Sequence, residues 1–131
     1  MRTKWIVVAN RVSVRIFRER PFKLIHTIKA DLGEQTFEGA LPENIAVEFA
    51  RKIARFLTLE HQRNRFDGLE IVAEPRMTGF IREFMDPNLL LCSDWLAKDL
   101  GHFSDHDVGL ALGFDMRKAY DRSPKRQQSA W

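Results

Sequence analysis

Lys4-Trp5-Ile6-Val7-Val8-Ala9-Asn10-Arg11-Val12-Ser13-Val14-Arg15-Ile16-Phe17-Arg18 is the stretch on which the fold turns. Two runs rich in β-branched and aromatic residues, Lys4 to Asn10 and Val12 to Arg18, read as strands, and Phe22 to Ile28 reads as a third after a turn at Pro21. Links this short cannot carry a parallel crossover, so the three pair as an antiparallel meander. In the second run Val12, Val14 and Ile16 point one way, while Arg11, Ser13, Arg15 and Phe17 point the other. That alternation predicts one core face and one partly basic face.

Beyond the meander, residues 30–41 hold Gly33, Gly39 and several acids without a sustained period, which predicts a long loop. From Pro42, the positions Ala46, Phe49, Ala50, Ile53, Ala54 and Leu57 recur at helical spacing. Arg51, Lys52 and Arg55 fall on the opposite side of that helix, and Glu48 is spaced to pair with Lys52. A turn at Asp67-Gly68 leads into a buried strand, Leu69 to Ala73, and then into a helix begun by Pro75 and stopped by Asp86-Pro87. Leu89 to Trp95 reads as a further strand. A strand, helix, strand succession implies a parallel crossover. The expected fold class is therefore α/β: a mixed five-stranded sheet with an N-terminal antiparallel meander and packed helices. Ser104-Asp105-His106-Asp107 resembles a capping box and opens a last helix to about Leu112. Residues 1–119 are expected to form a single α/β domain, and residues 120–131 a flexible basic tail.

The whole chain has 131 residues, 44% of them hydrophobic and 30% charged, which suits one packed unit. Its apolar runs are far shorter than the roughly 18 to 20 residues of a membrane helix. Met1-Arg2-Thr3-Lys4 precedes an apolar stretch that lacks a small-residue cleavage site, so no membrane partner is expected and the expected compartment is the cytoplasm. Cys92, the one cysteine, lies among leucines and reads as a buried strand thiol. The formal charge of +3 is small, but it is segregated: residues 1–29 carry eight basic side chains and one acid, and residues 30–50 carry five acids and no base. Such blocks give a two-faced surface, one side of which could hold phosphates.

Little in the chain supports catalysis. His102, Asp105, His106 and Asp107 cluster, but Ser104 caps a helix between the two histidines, so no metal site is expected. The first strand contains no carboxylate, which disfavours two-metal phosphoryl chemistry. There is no G-x-S-x-G and no Gly-rich phosphate loop, and no cofactor is expected. What remains is contact with phosphate. Arg11 and Arg15 on the meander, with Arg51, Lys52 and Arg55 on the helix, are the candidate RNA-binding residues, following a backbone without reading sequence. The free edge of the meander also offers a route to a homodimer by strand pairing.

Several blocks in order resemble one bacterial family. Trp5-Ile6-Val7-Val8-Ala9-Asn10-Arg11 with Arg15-Ile16-Phe17, then Phe66-Asp67-Gly68-Leu69, Val72-Ala73-Glu74-Pro75-Arg76 with Gly79, and Lys98-Asp99-Leu100 are similar to the host-attachment proteins, described as bacterial relatives of class I release factors. The resemblance implies a ribonuclease-H-like fold, as in the middle domain of release factors, and a role linked to the ribosome or structured RNA. In release factors a Gly-Gly-Gln loop before a long helix helps hydrolyse peptidyl-tRNA. Here the corresponding loop carries Gly33-Glu34-Gln35, and the glutamate adds a Cβ and a negative charge where the family has glycine. Gly33 and Gln35 are thus the only catalytic candidates, for a peptidyl-tRNA hydrolase or rescue factor. Asn10, Lys98 and Asp99 belong to the family's pattern without an assigned role. The family label adds a third expectation, a protein-interaction module in attachment to host cells.

Overall fold

The computed structural model describes residues 3–32, 41–114 and 116. Gly33, Gln35 and the expected tail at 120–131 lie outside them. The meander forms as expected, with β1 at Lys4–Ala9, β2 at Ser13–Arg18 and β3 at Lys23–Lys29. Then follow α1 (Glu43–Gln62), β4 (Gly68–Ala73), α2 (Pro75–Glu83), α3 (Pro87–Leu91), β5 (Ser93–Ala97) and α4 (Asp105–Ala111). The five strands lie in the order β3-β2-β1-β4-β5, antiparallel within the meander and parallel from β1 to β4 to β5. The C-terminal ends of the three parallel strands therefore meet at one edge of the sheet.

Both faces of the sheet are covered. On one face Trp5, Val7, Ala9, Val14 and Ile16 pack against Phe49, Ile53 and Leu57 of α1, Met77 and Ile81 of α2, and Leu89 of α3. On the other, Ile6, Val8, Phe17, Phe22 and Val72 pack with Leu100, Val108 and Met116. The second core corrects the expected half-basic face. Phe17 is fully buried and stacks on Phe22 at 4.5 Å, which stacks in turn on Phe114 at 4.7 Å. The register of β2 against β3 shifts between Ile16 and Phe17, where Ile16 faces His26 and Phe17 faces Leu24. Burial on both faces explains why β1 reads as a continuous apolar run.

A second correction concerns Leu89 to Trp95. Its first half is helical, because Asp86 Oδ2 accepts hydrogen bonds from the Asn88 and Leu89 amides at 3.0 and 3.4 Å while Pro87 occupies the first turn. The strand begins only at Ser93. Cys92 accordingly ends α3 rather than lying within a strand, and its Sγ–H donates to the Leu89 carbonyl at 3.3 Å. A third correction is small: the Glu48 carboxylate lies 3.6 Å from Arg51 Nε, an i,i+3 ion pair in place of the expected partnership with Lys52.

Candidate nucleic-acid interface

The family-pattern residues gather at the C-terminal edge of the parallel strands, where they hold the chain together. Asn10 follows β1, and its Oδ1 accepts from the Val12 and Ser13 amides at 2.9 and 2.8 Å, closing the β1–β2 turn. Arg11 donates from Nε and Nη2 to Glu74 Oε1 at 3.2 and 3.0 Å, joining that turn to the end of β4. Asp99 Oδ1 accepts from the Gly101 amide at 3.4 Å, shaping the loop that places Leu100 in the second core. Lys98 is exposed, and its amide donates to the Leu96 carbonyl.

Arg15 is also committed. Its Nη1 donates to Asp105 Oδ1 at 2.7 Å and its Nη2 to the Leu100 carbonyl at 3.2 Å, with only 17% of the side chain exposed. Salt-bridged and largely covered, it ties β2 to α4 beneath the second core. Asp105, part of the histidine-rich cluster, is thereby engaged by an arginine. Among the described residues no group of three or more His, Cys, Asp and Glu is placed to hold a metal ion. No described helix is long and apolar enough to cross a membrane.

The helix cations lie elsewhere. α1 packs on the face of the sheet opposite to the one that Arg15 shares with Phe17, so the structure does not join Arg15 to Arg51, Lys52 and Arg55 in one patch. Arg51, Lys52 and Arg55 are all exposed. Two of them line an open groove of about 460 Å³ between α1 and the end of α2, walled by Arg51, Arg55, Thr58, Leu59, Gln62, Phe84, Met85 and Asp86. Lys52 lies on a smaller recess of about 110 Å³ with Asp31, Glu48 and Phe49. Within the larger groove the Arg51 guanidinium stands over the Phe84 ring, 4.9 Å from its centroid. The Glu48–Arg51 pair does little to neutralise it, since the two side chains are 73% and 50% exposed and water screens them.

Leu59, Gln62, Phe84 and Asp86 are not among the candidate site residues; Asp86 reads only as a helix stop. Part of the signal was present: Arg51, Arg55, Thr58, Leu59 and Gln62 sit at i, i+4, i+7, i+8 and i+11, one stripe of an α-helix. Leu59 interrupts that polar stripe and is 47% exposed. Phe84 and Asp86 come from the α2–α3 junction, and no spacing within α1 reveals them.

The chain is similar to two solved archaeal structures. One, described as "Archaeal protein", matches at 13% identity with a TM-score of 0.51, over 97% of this chain and 38% of that one. The other, the archaeal translation termination factor aRF1, matches at 13% identity with a TM-score of 0.54, over 97% of this chain and 39% of that one. At that identity the likeness is one of fold, and this chain spans about two fifths of either protein. No curated protein matches the chain. The family model described as "Protein required for attachment to host cells" matches residues 38–112, more than half of the chain and the motif blocks from Phe66 onward: this chain belongs to that family, on a fold shared with release-factor domains.

Proposed function

We propose that this chain is a non-catalytic RNA-associated module that contacts structured RNA, including that of the ribosome, through the groove between α1 and the end of α2. The observation that carries this reading is the pair of exposed guanidiniums, Arg51 and Arg55, on one wall of an open groove. Arginine is suited to the task because its planar fork matches phosphate oxygens and it desolvates more readily than lysine. The fold likeness to a translation termination factor supports the same reading. The test is fluorescence anisotropy with a labelled ribosomal RNA hairpin at low ionic strength, paired with co-sedimentation with ribosomes. Wild-type protein is expected to bind in a salt-sensitive manner, and the Arg51→Glu/Arg55→Glu variant to lose binding while remaining folded. Salt-insensitive or absent binding by the wild type refutes the reading.

A second reading takes the family's description at its word: a protein-interaction module for attachment to host cells. Among the described large apolar side chains, the one most open to a partner is Leu91 on α3, 88% exposed. Binding of the purified protein to intact host cells, reduced by Leu91→Asp, is the expected outcome under that reading. Equal binding by both proteins counts against it.

A further inference from the structure

The groove is not lined as a simple anion cradle. Its wall carries two arginines, an exposed leucine, a carboxamide and a carboxylate within one open cleft. A run of phosphates would gain from Arg51 and Arg55 but would meet an apolar Leu59 and the repulsion of Asp86. A nucleobase has the opposite needs. Its flat faces favour apolar and guanidinium surfaces, while its edge uses donors and acceptors such as the Gln62 amide and the Asp86 carboxylate.

We infer that the groove receives one unpaired nucleotide of a structured RNA, with its base stacked on the Arg51 guanidinium and its phosphate held by Arg55. This rests on the RNA-binding reading above and narrows it to a bulged or looped nucleotide. Phe84 is the positioning residue. Its ring lies half-buried against the core and backs the Arg51 guanidinium, whose central carbon stands 4.9 Å from the ring centroid. Leu59 flanks the stacked base on the α1 side. The volume of about 460 Å³ is scaled to a single nucleotide rather than to a duplex, whose paired bases cannot enter such a cleft.

The experiment compares two RNA hairpins that differ only in one unpaired nucleotide in the stem, each titrated with the full chain. The bulged hairpin is expected to bind about tenfold more tightly, the scale of one base stacked on a planar side chain. Phe84→Leu, which keeps an apolar side chain against the core, should reduce that preference to near unity, and Phe84→Tyr should retain it. Thermal unfolding of each variant establishes that it is folded. A 2-aminopurine placed at the bulge provides a readout on the wild-type protein alone, its fluorescence changing as the base leaves the helix and stacks. Equal affinity for the two hairpins overturns the inference and leaves the RNA-binding reading standing. Binding of neither overturns both. A free mononucleotide that binds as tightly as the bulged hairpin also overturns it, by assigning the groove to a small molecule.

Discussion

A methyl group on Gly101 would lie 2.9 Å from Asn10 Nδ2, closer than real Cβ atoms approach a neighbour, and a tight 3.0 Å from Asn10 Cβ. Asn10 cannot move aside freely, because its Oδ1 closes the β1–β2 turn. Gly101→Ala is therefore expected to destabilise the fold by about 1–3 kcal/mol, measured as a lower urea midpoint at unchanged m-value. In an Asn10→Ala background the penalty should shrink, since the clash is with that side chain, and the double-mutant cycle isolates the coupling. Cys92 supplies a prediction in pH. Burial pushes its thiol up, with Asp67 adding to the rise and a backbone hydrogen bond opposing it. Folding thus favours the protonated form, so iodoacetamide should modify the native protein more slowly than the urea-unfolded chain at a given pH below the raised value. The associated stability is fully present below the ordinary thiol range and is lost as pH rises through that range to the higher native value.

At the scale of an element, α3 decides how the second half of the sheet is built. Five residues long, it cannot persist on local propensity, and its start is held by Asp86 and Pro87. Asp86→Ala should cost about 1 kcal/mol in a urea titration, while Asp86→Asn, which can still accept from the Asn88 and Leu89 amides, should cost much less. The same helix shows where sequence reading stops. Leu89-Leu90-Leu91-Cys92 is a short apolar run that fits a strand as well as a buried helical turn, and periodicity cannot separate the two at that length. The cap was visible in Asp86-Pro87, yet that pair also reads as a helix stop, and α2 does end shortly before it, at Glu83. By contrast α1 spans 20 residues with a regular apolar stripe, and its buried apolar positions Ala46, Phe49, Ala50, Ile53, Ala54 and Leu57 are those the spacing marked. Length separates the two cases, because only a long element repeats its pattern often enough to exclude the alternative.

At the scale of the whole molecule, charge blocks in the sequence do not convert directly into charged faces. The five arginines and lysines singled out as phosphate contacts divide by tertiary partner: Arg11 bonds Glu74, 63 residues away, and Arg15 bonds Asp105, 90 residues away. No local pattern encodes such pairings, so their use as structural ties was not legible, whereas the exposed side of α1 follows directly from its period. This division makes the site testable by salt dependence. For Arg55, the phosphate it neutralises contributes roughly 0.7 to 0.9 to the slope of log Kobs against log salt. The Arg55→Gln variant should therefore flatten the slope by about 0.7 to 0.9, whatever the RNA sequence. Arg11→Gln should leave the slope unchanged and register in stability alone, by roughly 1 kcal/mol or less for a half-exposed ion pair. A slope that falls equally in both variants would mean that the Arg11–Glu74 pair opens to take a phosphate, and that the binding surface reaches around to the C-terminal edge of the sheet.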